Sequence, residues 1–127
     1  MNSEARPKET AAAARGRAVF LVTRASYGVA LVMAPGTVMY LATGRFPGRR
    51  ARRVAQILGA RHLIQAGIGA FAPGPGVFVM GAGIDSVHAV SMLGLALFDR
   101  GTRRAALTDG LAEALLAAAG FSLGEPI

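Results

Sequence analysis

The chain has 127 residues, of which 53% are hydrophobic and 17% are charged, and its mean hydropathy is +0.44. A chain of this length forms one domain, and its apolar content excludes intrinsic disorder, which requires low hydrophobicity and high charge. The absence of cysteine excludes disulfides, thiolate metal sites and cysteine catalysis. The composition therefore predicts a small multi-pass protein of the cell membrane.

Four apolar segments follow one another along the chain, at about 18–43, 54–72, 77–98 and 105–123. Roughly 20 helical residues cross the hydrocarbon core of a bilayer, so each segment is long enough to cross once. We therefore predict an all-α bundle of four transmembrane helices over 18–123. A polar, disordered tail at 1–17 precedes this single domain, and a short tail at 124–127 follows it.

The first apolar segment contains one charge, Arg24, and a break at Pro35 and Gly36. Proline removes a backbone donor and kinks or ends a helix, so we expect one crossing followed by a kink or a short interfacial tail. An alternative is that this segment only lies in the interface or re-enters the membrane. Every basic stretch would then be cytoplasmic.

The net charge is +7, and basic residues bunch outside the apolar segments. The loops after the first and third segments hold eight arginines: Arg45, Arg49, Arg50, Arg52, Arg53, Arg100, Arg103 and Arg104. The amino-terminal tail holds four basic residues and the turn at 71–76 holds none. The positive-inside rule therefore predicts that both arginine-rich loops are cytoplasmic and both termini external.

We interpret six of these arginines as lipid headgroup contacts: Arg49, Arg50, Arg52, Arg53, Arg103 and Arg104. A basic run can also bind nucleic acid, but a loop between two apolar segments favours lipid. The predicted partners are therefore the lipid bilayer and either a second copy or another membrane protein, and not nucleic acid.

Polar and ionisable residues also lie inside the apolar segments, where a charge costs roughly 2.5–3.5 kcal/mol at the centre of a span. At 1.5 Å per residue, we predict one buried polar layer near mid-membrane, formed by Arg61, His62, Gln65, Asp85, His88, Asp109 and Glu113. Arg24 comes out shallower, and we place it at the rim, from which its long side chain can reach water.

Two interpretations of this layer stay open. It is either a network of ion pairs and hydrogen bonds that fixes helix register, or a site for a proton, an ion or a ligand. Asp85 and His88 have the spacing of paired metal ligands, but metal-binding bundles need several such pairs, so we predict no metal and no cofactor. Asp85, Ser86 and His88 could also suggest a catalytic triad. Three residues on one helix without a nucleophile elbow support that interpretation only weakly, so we assign no catalytic residue.

Three ladders of small residues are candidates for close helix packing: Ala55 with Gly59, Ala66 with Ala70, and Gly110 with Ala114 and Ala118. Helices joined by a short turn commonly pack against each other, so we expect the second and third helices to be neighbours. Arg61 and Asp85 would then lie at similar depth and form an ion pair.

Three short motifs occur in order: Arg-Ala-Ser-Tyr-Gly at 24–28, Leu-Gly-Ala-Arg-His-Leu-Ile-Gln at 58–65 and Ile-Asp-Ser-Val-His-Ala at 84–89. Over residues 18–121 the chain thereby resembles small four-helix integral membrane proteins of unknown function from high-GC actinobacteria. The resemblance implies a four-span bundle and the same Arg61–Asp85 pairing, and it implies no activity.

The function that these observations favour is that of a structural or accessory membrane protein that binds a partner without catalysis. One alternative is a small oligomeric transporter or channel that uses Arg61, Asp85, His88 and Glu113. A second alternative is a membrane enzyme that acts on a lipid or a quinone-like substrate.

Overall fold

The computed structural model describes residues 10–72 and 74–124, which form five α-helices. The helices are α1 (Ala11–Met33), α2 (Pro35–Thr43), α3 (Arg49–Phe71), α4 (Pro75–Phe98) and α5 (Arg103–Gly124). Within these described ranges no residue is in a strand, which confirms the all-α prediction.

Three of these helices are long and apolar enough to cross a membrane: Ala11–Met33, Gly76–Phe98 and Arg103–Gly124. The sequence predicts four spans, but α3 does not meet the same condition. Its polar residues Gln56, Arg61, His62 and Gln65 lower its hydropathy. The three candidate spans are compatible with a membrane protein.

The ends of the predicted segments need correction in the first third of the chain. Thr10 caps α1 by accepting a hydrogen bond from the backbone N–H of Ala13 at 3.1 Å. The helix therefore begins seven residues before the predicted start of the first segment, and residues 11–17 of the predicted tail are helical. The remaining tail residues, 1–9 and 125–127, lie outside the described ranges, and Gly124 belongs to α5.

The first apolar segment is divided into α1 and α2. Ala34 leaves helical geometry with φ −138° and ψ 54°, and Pro35 stands at the start of α2, where its missing N–H leaves no helical hydrogen bond unmade. The short α2 ends at Gly44, whose φ of 74° is the left-handed conformation that glycine adopts most easily. The expected break at proline is thus a separate nine-residue helix.

The long helices form two antiparallel pairs, α1 with α3 and α4 with α5. Between α1 and α3 the backbones meet at Gly28 and Gly59, where a Cβ atom on Gly59 would lie 2.7 Å from the Gly28 carbonyl oxygen. By contrast, α3 and α4 touch little although a short turn joins them, so the expectation that they pack together is wrong. The close approach of α1 and α3 therefore depends on small residues and not on a short connection, whereas α4 and α5 are joined by the short turn at 99–102 and also pack closely.

The buried residues of α3 are spaced alternately four and three positions apart, as in a left-handed coiled coil of two α-helices: Ala55, Gly59, His62, Ala66 and Gly69. Each of the four long helices places one ionisable residue on its buried face. These residues are Arg24, His62, Asp85 and Glu113, and each is at most 2% exposed. Large apolar side chains on all four helices face outward, as in proteins whose solvent is lipid.

The predicted ladders of small residues are used only in part. On α3, Ala55, Gly59 and Ala66 are buried, and Ala70 is exposed. On α5, Gly110 faces α4, because a Cβ atom there would lie 3.2 Å from Met92 Cβ. Ala114 and Ala118 are exposed instead, and α5 packs through Ala106, Ala117 and Gly120.

Candidate functional site

Charged and polar side chains from the two helix pairs meet in the middle of the molecule. We call this group the ionic layer, and it consists of Arg24, Arg61, His62, Asp85, His88, Asp109 and Glu113. Its contacts Arg24–Asp85, Arg61–Glu113 and His62–Glu113 run from α1 or α3 to α4 or α5, so it joins the two pairs.

The innermost ion pair joins Arg24 of α1 to Asp85 of α4. Both Nη atoms of Arg24 donate to the two carboxylate oxygens, one of them over 3.2 Å. Such two-pronged pairs are the strong form of this interaction. Arg24 Nη1 also donates to Gln65 Oε1 at 2.7 Å, and its guanidinium lies 5.0 Å from the centre of the Phe20 ring.

The position of Arg24 corrects the prediction that it lies at the rim. Because α1 begins at Ala11 and not at 18, Arg24 lies about 20 Å along the helix, near its middle. At 2% exposure it cannot reach water, and it depends on Asp85 for charge compensation.

Arg61 of α3 contacts two carboxylates. Its Nη2 atom lies 2.8 Å from Glu113 Oε1 and 3.6 Å from Asp85 Oδ1. The Arg61–Asp85 pair expected from the sequence is therefore present as the longer of the two contacts. Glu113 is therefore the closer partner of Arg61.

His62 of α3 is fully buried between Arg24 and Glu113. Its Nδ1 lies 3.4 Å from Arg24 Nη1, and its Nε2 lies 2.7 Å from Glu113 Oε1. A guanidinium only donates hydrogen bonds, so Nδ1 is the acceptor in the Arg24 contact, whereas Nε2, although close to Glu113, has no hydrogen-bond partner among the described residues. The ring also meets the Tyr27 ring edge-on at 5.1 Å.

A second cluster joins α1, α4 and α5 around Asp109. Its Oδ2 lies 2.6 Å from His88 Nε2, and its Oδ1 accepts a hydrogen bond from the Tyr27 hydroxyl at 3.2 Å. Tyr27 is not among the site residues predicted from the sequence, although Tyr27 lies three residues after Arg24 and therefore on the same face of α1. Among the described contacts, Asp109 has no arginine partner.

The charges of the ionic layer do not cancel when both histidines are neutral. Arg24 and Arg61 supply two positive charges, and Asp85, Asp109 and Glu113 supply three negative ones. An uncompensated charge in a medium of low dielectric constant is costly. The layer therefore attracts one more cation or a proton.

Some buried polar atoms of the layer have no hydrogen-bond partner within the part of the chain that the structure describes. They include Arg61 Nε, His62 Nε2 and Glu113 Oε2, and beside the layer Gln65 Nε2. Glu113 belongs to a set of three with His88 and Asp109, because one ligand atom from each residue lies within 4.8 Å of the other two. An imidazole and two carboxylates are suitable ligands for a divalent transition metal.

Cavities lined by the described residues include three that reach the ionic layer. The largest of these three, about 950 Å³, is lined mainly by apolar side chains, with Tyr27 and Asp109 on its wall and Arg49 and Arg50 near α2. A space of about 510 Å³ between α3 and α4 is lined by Arg61 and His88, among others. A third cavity, of about 200 Å³, contains Arg24 and Gln65 on its wall.

The arginines predicted to contact lipid headgroups are exposed and lie at one end of the molecule. Arg49, Arg50, Arg52 and Arg53 form the first turn of α3, and Arg103 and Arg104 begin α5. Cations at a helix N-terminus are opposed by the helix dipole, so this placement does not serve helix stability. It is consistent with contacts to anionic lipid headgroups.

The hydroxyl groups on α4 are engaged by their own helix. Ser86 donates to the Ala82 carbonyl oxygen at 2.7 Å, and Ser91 donates to the Val87 carbonyl oxygen at 2.8 Å. Neither hydroxyl is bonded to a histidine, so Asp85, Ser86 and His88 do not form a catalytic triad.

No family model matches the chain, and neither a curated protein nor a solved structure is significantly similar to it.

Proposed function

We propose that the protein is an integral membrane protein whose four long helices all cross the bilayer, and that it serves as a structural or accessory subunit without catalysis. The observation that carries this proposal is the single buried ionisable residue on each long helix, all four of which meet in the ionic layer. Such a layer fixes the register of the helices and the arrangement of the two pairs.

The inclusion of α3 as a fourth span depends on where its polar residues lie. His62 is fully buried, and Gln65 and Arg61 direct polar groups to partners inside the molecule, although Arg61 stays 27% exposed. On the outward face of α3, Gln56 donates to the Val32 carbonyl oxygen at 3.1 Å, and Val54, Ile57, Ile64 and Ile68 are all about half exposed or more. Polar residues that pair within a bundle are tolerated in a spanning helix.

The accessory role is supported by the small residues on the outer face of α5. Ala114 and Ala118 are exposed and four residues apart, so a neighbouring helix could approach the backbone closely there. A partner that docks on this face is a second copy of the chain or another membrane protein.

Cysteine labelling tests the four-span arrangement, because the chain has no cysteine of its own. We expect membranes carrying the protein to retain it after carbonate washing. In inverted vesicles an impermeant thiol reagent should label Arg49→Cys and Arg103→Cys alike, and Ala72→Cys only after the membrane is opened. Equal labelling of Arg49→Cys and Ala72→Cys would show that α3 does not cross.

The accessory role is tested by co-purification in mild detergent. Ala114→Phe fills the small face of α5, and Leu115→Phe is the matched control because Leu115 is already large and exposed. We expect the first substitution, and not the second, to release the partner. Equal recovery of the partner with both variants would contradict docking on this face.

A transporter or channel is the second candidate, favoured by cavities that reach the ionic layer at different points. One copy leaves no continuous path, because Arg24 and Asp85 close the centre, so conduction would need several copies. Charge movement across proteoliposomes that contain the pure protein would favour this candidate over the accessory role.

A further inference from the structure

We propose that His88, Asp109 and Glu113 form a binding site for one divalent transition-metal ion, such as Zn²⁺. The inference goes beyond the accessory role proposed above, which requires the ionic layer only as a structural element. One ligand atom from each residue lies within 4.8 Å of the other two, so small movements of the side chains bring all three onto one ion.

The three residues come from neighbouring helices in a rigid arrangement. Asp109 and Glu113 are four residues apart and therefore share a face of α5, and His88 comes from α4, which packs along α5. Ligands on helices that already pack together are held in place before the ion arrives. The site thus needs little reorganisation on binding.

The second observation is the free carboxylate oxygen of Glu113. The side chain is fully buried, and Oε2 has no hydrogen-bond partner among the described residues. A buried carboxylate oxygen without a partner is costly. An ion bound to Oε2 would supply the missing interaction.

The other oxygen of each carboxylate is already held by a neighbour. Arg61 and His62 contact Glu113 Oε1 at 2.8 Å and 2.7 Å, and Tyr27 donates to Asp109 Oδ1 at 3.2 Å. These contacts leave Glu113 Oε2 open, whereas Asp109 Oδ2 lies 2.6 Å from His88 Nε2, so a bound ion would replace that contact. Hydrogen bonds of this kind orient the ligands in established metal sites.

The charges favour a cation at this position. Asp85 is compensated by Arg24, and Glu113 contacts Arg61, but Asp109 has only the neutral Tyr27 hydroxyl and the imidazole of His88. With both histidines neutral, the ionic layer holds one more negative than positive charge, so a cation is favoured there.

The donor set and the access path define the class of ion. An imidazole nitrogen with two carboxylates suits Zn²⁺, Co²⁺, Mn²⁺ or Fe²⁺ better than Mg²⁺ or Ca²⁺, which prefer oxygen ligands alone. His88 lines the space between α3 and α4, and Asp109 lines the largest cavity, so an ion can enter without breaking the Arg24–Asp85 pair. Three protein ligands also leave a coordination position open.

The experiment uses the untagged full-length protein in detergent, stripped with EDTA and dialysed. Titration with Zn²⁺ should reveal one ion per chain, and Co²⁺ should give visible absorption bands typical of nitrogen and oxygen ligands. Bound Zn²⁺ should raise the unfolding midpoint, whereas Mg²⁺ should not. The proposal would be overturned if the titration gave no stoichiometric binding isotherm and 1 mM Zn²⁺ did not raise the unfolding midpoint. That concentration is on the order of a thousandfold above a micromolar dissociation constant.

Variants locate the site. We expect His88→Ala and Asp109→Asn to weaken Zn²⁺ binding by more than about 100-fold, and Tyr27→Phe to weaken it by about 10-fold through the orientation of Asp109. Asp99→Asn, which changes an exposed carboxylate beyond the end of α4, should bind as the wild type does.

The unfolding midpoint of each metal-free variant shows whether it is folded. Because His88 is 23% exposed, we expect His88→Ala to remain folded even where Asp109→Asn does not. Unchanged affinity in a folded His88→Ala variant would place the ion elsewhere and overturn the assignment. The cysteine-labelling result does not depend on this outcome, so the two proposals fail separately.

Discussion

The interface inside a helix pair and the interface between the two pairs are built from different kinds of contact. Between α1 and α3, Gly28 and Gly59 bring two backbones together, and the contact is one of close packing. Between the pairs, Arg24 and Asp85 form an ion pair that is almost completely buried, and the buried Glu113 pairs with Arg61, which is 27% exposed. In lipid, apolar surfaces gain little by meeting each other, so packing density and polar contacts must hold helices together.

The two interfaces therefore tolerate different kinds of amino-acid substitution. A glycine contact fails when a side chain is added, because backbone atoms cannot move aside. An ion pair fails when one side chain is removed, because the remaining charge stays buried without a partner. The variants below exploit this difference, from the largest expected effect to the smallest.

Asp85→Ala should have the largest effect, since it removes both carboxylate oxygens from the buried Arg24 guanidinium. We expect a loss of about 3–5 kcal/mol in unfolding free energy. Measurement by thermal or denaturant unfolding in detergent, with Asp99→Ala as the exposed control, checks this value. A loss no larger than that of the control would show that the pair does not hold the helices.

A double-mutant cycle distinguishes the two arginines near Asp85. Combined replacement of Arg24 and Asp85 should cost much less than the sum of the single replacements, because neither charge is then left alone. Combined replacement of Arg61 and Asp85 should be closer to additive, because Arg61 Nη2 is 2.8 Å from Glu113 and 3.6 Å from Asp85. Stronger coupling to Arg61 than to Arg24 would reverse this assignment.

Gly59→Ala should have the next largest effect. The added Cβ atom would lie 2.7 Å from the Gly28 carbonyl oxygen and from Leu31 Cβ, so α1 and α3 must move apart. We expect a loss of about 1–3 kcal/mol. Gly67→Ala on the same helix is the control, because nothing lies within 4 Å of its added Cβ and alanine favours the helix by roughly 0.5–1 kcal/mol. Equal midpoints for both variants would contradict the close approach.

Among the single substitutions Asp85→Ala, Gly59→Ala and Tyr27→Phe, the last should have the smallest effect on the unfolding free energy. It removes one hydrogen bond, 3.2 Å long, from the partly exposed Asp109 carboxylate, and it keeps the ring that packs on His62. We expect a loss of about 1 kcal/mol in the metal-free protein. Tyr40→Phe, at an exposed ring stacked on Phe46, is the control and should leave the midpoint unchanged.

Much of the ionic layer could be predicted from the sequence because depth in a helix follows from counting residues. At 1.5 Å per residue, Arg61, Asp85 and Glu113 fall at similar depth in any antiparallel arrangement of their helices, and the structure brings them together. Counting residues from position 18 gave a depth for Arg24 that was too shallow, because α1 begins at Ala11. The sequence Ala-Ala-Ala-Ala-Arg-Gly-Arg at 11–17 is polar in part, yet alanine and arginine are strong helix formers, so α1 extends beyond its apolar segment.

The sequence by itself determined the helical class, the apolar segments and the residues that are unfavourable in lipid, because these depend on composition and on the fixed rise of a helix. Only the tertiary structure decided which helices are neighbours. The pairing of α1 with α3 depends on Gly28 and Gly59, where the two backbones can meet, and counting residues along the chain does not predict that contact. Because α5 lies beside α4, His88 meets Asp109 and lies near Glu113, and Glu113 in turn pairs with Arg61 of the other helix pair.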